Sequence, residues 1–246
     1  MKWHQRTICG FDLETTGTDP DVDHIVQIGF DVSIGSRLPG GSQFPINAMS
    51  YEHLVDPGVP IENSDVHGIT DEIVAGLQQD EGAAITELVW YLRAMAAAQI
   101  PVVAYNAAFD LTFARAVALR HNVPWDLDDL IIMDPMVLDK KIDKWRKGSR
   151  KQDATAAFYG IGVDAERLHS ARYDAGIGVQ ILRAMGAKYS KIDWTTPSFM
   201  ESTRGWAIDQ QMSLAAYFRK SGKTNDDGSE IVVKIGWPYF GQKGSE

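Results

Sequence analysis

The chain has 246 residues, 44% of them apolar and 23% charged, and its 24 Lys and Arg against 33 Asp and Glu give a formal net charge of −9. Such a composition suits one large or two small globular domains and excludes disordered and fibrous chains, while no apolar run approaches the roughly 18 residues of a membrane-spanning helix. The acidic balance argues against a protein that grips duplex nucleic acid by bulk charge, and leaves room for acidity concentrated at a metal site.

The polar start, Met1 to Arg6, has neither the apolar run nor the small-residue cleavage site of a signal peptide, so a soluble, cytoplasmic protein with no membrane partner is expected. β-Branched residues and turn-bounded ends predict strands at Thr7 to Leu13, Ile25 to Val32 and Met49 to Val55. The only cysteine, Cys9, falls in the first of these, which excludes intrachain disulfides and Cys-rich zinc sites and predicts a small buried hydrophobe. Gly35 to Asn47, with Gly35, Gly40 and Gly41, reads as a loop or hairpin tip.

From Glu81 the period changes: Ile85, Leu88, Val89, Leu92 and Met95 recur at helical spacing, and an apolar strand follows at Ile100 to Tyr105. A helix is predicted at Ala108 to His121, a short strand at Leu130 to Met133, helical material from Pro135 to about Tyr159, and a helix from Ala171 to Met185. Hairpin strands followed by strands alternating with helices imply an α/β sheet of mixed direction. Lys140 to Lys151 carries seven basic residues and one acid, the pattern of a solvated helix face or of a phosphate-backbone contact. Beyond Met185, Trp206, Gln210, Leu214, Tyr217 and Phe218 mark a helix over Phe199 to Arg219, and then come a polar turn at Thr224 to Ser229 and an apolar piece at Ile231 to Ile235. The expected division is residues 1–186 as the main domain and 187–246 as a C-terminal helical extension packed on it.

Asp12 and Glu14 stand two apart on the first predicted strand, so both point to one face. Ile8, Phe11 and Leu13 mark that strand as buried, and a buried pair of like charges calls for a cation. Gly17, just after Thr15 and Thr16, allows a close backbone approach. Asp110 lies in the first turn of a predicted helix and Asp174 early in another, five residues after His169. No G-x-G-x-x-G follows the first strand, which argues against dinucleotide binding.

Together the blocks Phe11-Asp12-Leu13-Glu14-Thr15-Thr16-Gly17, Val66-His67-Gly68-Ile69-Thr70, Asn106-Ala107-Ala108-Phe109-Asp110 and His169-Ser170-Ala171-Arg172-Tyr173-Asp174 resemble, in order and spacing, the DnaQ-like 3′→5′ exonucleases with the DEDDh signature. The resemblance covers about Thr7 to Met185. It implies a ribonuclease H-like mixed β-sheet with helices on both faces, with Asp12, Glu14, Asp110 and Asp174 as ligands of two Mg²⁺ or Mn²⁺ ions and His169 as the general base. It further implies that Thr15, Gly17, His67, Asn106 and Phe109 contact the substrate. The activity implied is release of nucleoside monophosphates from single-stranded DNA 3′ ends, in proofreading or repair and with a polymerase or other replication partner. RNA ends or short oligoribonucleotides are the alternative substrate, and a catalytically silent nucleic-acid-binding module is the reading from another class.

Overall fold

The computed structural model describes residues 3–33, 50–77, 80–189, 197–225 and 227–241. Five strands form one sheet in the order β3-β2-β1-β4-β5, with β1 at Ile8–Thr15, β2 at Ile25–Ser33, β3 at Tyr51–Leu54, β4 at Val102–Val103 and β5 at Ile132–Met133. The first three strands pair antiparallel as a meander, and β4 and β5 add in parallel on the other side of β1, so the sheet is mixed as the element order predicts. The two parallel strands are shorter than the apolar runs that contain them. All of the predicted loop at Gly35 to Asn47, and the start of the third predicted strand, lie outside the described residues.

Alternation along β1 sends its side chains to two separate cores. Cys9, Phe11 and Leu13 join a cluster with Ile85, Leu88 and Leu92 of α3 (Glu81–Ala97) and Leu111, Phe113 and Val117 of α4 (Ala107–Arg120). Ile8, on the opposite face, packs with Val103, Met133 and the apolar side of α7 (Ala171–Lys188), including Ile177, Ile181 and Leu182. Helices therefore cover both faces of the ribonuclease H-like sheet. Cys9 is buried, and burial pushes its thiol pKa up, so it is inert packing.

Two short helices that the periodicity did not signal, α1 (Ser64–His67) and α2 (Asp71–Val74), follow β3. The helical material predicted from Pro135 to Tyr159 is two helices, α5 (Pro135–Ile142) and α6 (Gln152–Phe158), joined by a basic loop. That loop is not simply solvated. Arg146 donates from Nε (3.1 Å) and Nη2 (2.9 Å) to Oδ2 of the fully buried Asp139, Arg150 Nη1 donates to the same oxygen, and Tyr159 Oη donates to Oδ1 at 2.9 Å. Tyr105 completes the brace by donating from its hydroxyl to the Arg150 carbonyl at 2.6 Å.

The C-terminal helix, α8, spans Pro197–Ser221. Ala207 of α8, with Trp237 and Tyr239 beyond it, belongs to the core cluster of the α3 and α4 side. Gln210 donates to the Val137 carbonyl at 3.0 Å, and the Phe240 amide donates to Thr112 Oγ1 at 2.8 Å. No described helix is long and apolar enough to cross a membrane.

Candidate active site

The face of β1 that begins with Ile8 continues through Gly10 to Asp12 and Glu14, an apolar residue giving way to a bare backbone and then to two acids. Gly10 and Gly29, diagonal neighbours on this face of β1 and β2, let α7 rest on the sheet. A Cβ on Gly10 would lie 2.3 Å from the Ala175 carbonyl oxygen, and one on Gly29 would lie 2.2 Å from the Ala171 carbonyl carbon. Gln27, cross-strand partner of Glu14, fixes the helix start by accepting from the Ala171 amide at 2.8 Å. Asp174 is thereby carried over the strand that holds Asp12 and Glu14.

Asp110 arrives from the other layer. It sits in the first turn of α4, 3% exposed, and its Oδ1 accepts from the Leu13 amide at 3.1 Å. Its helix is positioned by a residue that pattern reading missed. Asp134 is buried; its Oδ1 accepts from the amides of Asn106 (3.2 Å), Met136 (2.9 Å) and Val137 (3.2 Å), and its Oδ2 from that of Ala107 (3.0 Å). One carboxylate thus caps α4 and α5 together and holds Asn106 at a left-handed φ of 68°. The visible signal was Asp followed by Pro at a helix start.

Burial raises the pKa of all four acids, and neighbouring carboxylates add to it. Burial and then the charges of Asp110, Glu14 and Asp174 push Asp12 far above the usual carboxylate range. Glu14 is pushed up to about 8 by burial, then by Asp174 and Asp110. Asp110 also rises to about 8, mainly through burial, against the opposing Leu13 hydrogen bond. Asp174 is raised by burial and partly restrained by the His169 amide, which donates to Oδ2 at 2.9 Å. Its other oxygen, Oδ1, is buried without a hydrogen-bond partner among the described residues.

His169 stands at this cluster on a backbone with φ 64°, exposed to solvent. Ligand atoms of Glu14, His169 and Asp174 all lie within 4.8 Å of one another. Tyr173, the other proton-bearing candidate beside Asp174, is engaged elsewhere: its hydroxyl accepts from the Asp164 amide at 2.7 Å. Four carboxylates and an orphaned, buried oxygen form a hard-oxygen donor set of the kind that Mg²⁺ or Mn²⁺ takes, so the residues present fit such ions.

The remaining candidates ring the cluster. Thr15 is buried, donates from its hydroxyl to the Gly17 carbonyl at 2.6 Å, and accepts at its own carbonyl from Asn63 at 2.8 Å. Gly17 is small for a local reason, since a Cβ there would lie 2.3 Å from Asp23 Oδ2. His67 accepts the Ile69 amide at Nδ1 (3.1 Å), which leaves the proton on Nε2 facing Asn63 Oδ1 at 3.4 Å. Burial and then the nearby His169 lower its pKa and keep it neutral. Asn106 and the half-buried Phe109 line a cleft that opens next to Asp110.

Residues 9–182 match the family described as Exonuclease (RNase_T). The chain belongs to the exonuclease family. Its exonuclease domain is 28% identical over 201 residues to "DNA polymerase III PolC-type" of Thermotoga maritima, covering 80% of this chain and 13% of that protein. It is 32% identical over 171 residues to "DNA polymerase III subunit epsilon-like protein" of Rhodobacter capsulatus, covering 68% and 22%. The chain therefore spans less than a quarter of the length of these relatives. Among solved structures, exonuclease I superposes with a TM-score of 0.60 at 16% identity over 85% of this chain and 46% of that one, which supports the mixed-sheet fold. Exonuclease X with a 5′-overhanging duplex gives 0.50 at 20% identity over 74% and 93%.

Proposed function

We propose that this exonuclease releases nucleoside 5′-monophosphates from the 3′ ends of single-stranded DNA, residues 1–186 forming the catalytic part and 187–246 an extension braced on it. The observation that carries the reading is the convergence of Asp12, Glu14, Asp110 and Asp174 with His169 on one face of β1, with a buried Asp174 oxygen left without a partner. The four carboxylates would hold two divalent ions, Mg²⁺ or Mn²⁺, whose four positive charges match theirs. When bound, such ions supply charge stabilisation at the scissile phosphate and its leaving oxygen and an acidified water.

His169 takes one proton from the attacking water as the general base. The water oxygen bonds to the terminal phosphorus, the bond from phosphorus to the preceding 3′ oxygen breaks, and that oxygen acquires a proton from solvent. Thr15, Gly17 and His67 receive the terminal nucleotide, and Asn106 and Phe109 its sugar or base. Support for a DNA strand comes from relatives named as DNA polymerase III proteins and from exonuclease I structures with single-stranded DNA. A polymerase or repair assembly as partner, and a proofreading or repair setting, follow from the same relatives as part of this proposal. Digestion of matched 3′-labelled DNA and RNA strands with Mg²⁺, Mn²⁺ or EDTA tests the reading: stepwise loss of label from DNA, abolished by EDTA, is expected, and EDTA-resistant or internal cleavage would overturn it.

A further inference from the structure

A cleft of about 940 Å³ opens beside Asn106 and Phe109. One wall is the start of α4 with α5 and its basic loop, and the other is α8 with the segment 232–240. Lys140, Lys141, Lys144, Arg146, Arg150 and Lys234 line it, against the acids Asp134 and Asp209. Asp134 is committed to four backbone amides, and Arg146 and Arg150 are committed to Asp139. Four lysines remain, so a chain of net charge −9 concentrates positive charge here.

The same walls present the rings of Phe109, Trp206, Trp237 and Phe240. Trp237 is 4% exposed, and its indole N–H has no hydrogen-bond partner among the described residues, which leaves one buried donor for an incoming acceptor. On the basic loop itself Trp145 is 84% exposed, with Lys144 Nζ 5.3 Å from its ring centre. The Asp139 brace holds that loop, so a large aromatic is kept in water on a rigid support among cations. That is the composition of a stacking platform for single strands, whose base faces are open, whereas a duplex hides them in its own stack.

We propose that this cleft, walled by the exonuclease core and by the C-terminal segment, is a track for single-stranded DNA that holds the nucleotides behind the scissile one, with Trp145 stacking on a base at its mouth. The proposal rests on the exonuclease reading above. Asn106 and Phe109, which line the cleft, precede Asp110 at the start of α4, and this places one end of the cleft toward the carboxylates in the proposed track.

The test uses the full chain, a fluorescein-labelled dT16 followed by anisotropy in EDTA, and dTMP release from dT2 and dT16 with Mg²⁺. Trp145→Ala is expected to weaken dT16 binding roughly 5- to 100-fold, the range for removal of one base stack, and Trp145→Phe to restore most of it. Lys141→Gln with Lys144→Gln is expected to weaken binding and to lower its log–log salt slope by about 0.7 for each phosphate no longer neutralised. The lower KM of dT16 relative to dT2 should shrink in both. Affinity and salt slope equal to the parent's in the Trp145→Ala and double-lysine variants would overturn the track, as would equal binding of a blunt duplex or tighter binding of rU16. A parent that binds dT16 and releases no dTMP breaks the exonuclease reading alone; one that cleaves dT2 and dT16 with equal KM breaks the track alone.

Discussion

The fold holds two buried acidic centres, and they are opposites. Asp139 is fully buried and meets two guanidinium groups and a tyrosine hydroxyl, so its charge is matched within the protein. Asp12, Glu14, Asp110 and Asp174 face one another, with raised pKa values and an unpartnered oxygen. The first centre is complete as folded. The second has raised pKa values, and among the described residues no guanidinium or ammonium group pairs with it. A buried carboxylate is thus a fastening in one place and a receptor in the other, and what separates them is whether the chain supplies the countercharge.

Substitution should split the two in opposite directions. Asp12→Ala or Asp174→Ala should reduce Mg²⁺-dependent hydrolysis to background, while metal-free stability stays level or rises because a desolvated acid leaves a cluster that has no countercharge. Nuclease assays beside thermal melts check both halves, and parent-like turnover would remove the residue from the ligand set. His169→Ala should slow hydrolysis by roughly 10²- to 10⁴-fold, the range of a positioned general base, as single-turnover rates on a labelled strand would show. Asp139→Ala should act chiefly on stability: it strands two buried arginines, a loss of about 3–5 kcal/mol readable in urea unfolding.

The smallest effect expected is on pH dependence. A carboxyl group whose folded pKa is raised stabilises the fold in its protonated form, a contribution complete below the unfolded value near about 4 and lost as pH rises through about 8 for Glu14 and Asp110. The melting temperature of metal-free protein should therefore fall between about pH 5 and 8.5. Saturating Mg²⁺ should restore roughly 5–10 °C at the upper end and less at the lower. A metal-induced gain larger at pH 6 than at pH 8.5 would contradict burial beside neighbouring carboxylates as the cause of the raised values.

The receptor was far more legible in the amino-acid order than the fastening. Period two places Asp12 and Glu14 on one face without any tertiary knowledge, and the helical starts at Asp110 and Asp174 are marked by their apolar periods. Asp139 gave no such sign, because its partners Arg146 and Arg150 lie in a run whose local pattern is that of an exposed helix, and only the fold shows which of seven cations turn inward. The same limit explains the break between α5 and α6: loop backbone from Asp143 to Lys151 is held by side chains that reach back to Asp139, a tertiary cause invisible to periodicity. Asp134 lay between these extremes. Its cap on α5 is written in the Asp-Pro pair, and its cap on α4, 28 residues earlier, is not.

The close seating of α7 on Gly10 and Gly29 also sets an order of events. Asp12, Glu14 and Asp110 leave the ribosome well before Asp174, and the last acid reaches them only when α7 docks against the two glycines. A chain still being made therefore carries an acidic cluster that lacks its fourth carboxylate until α7 is seated.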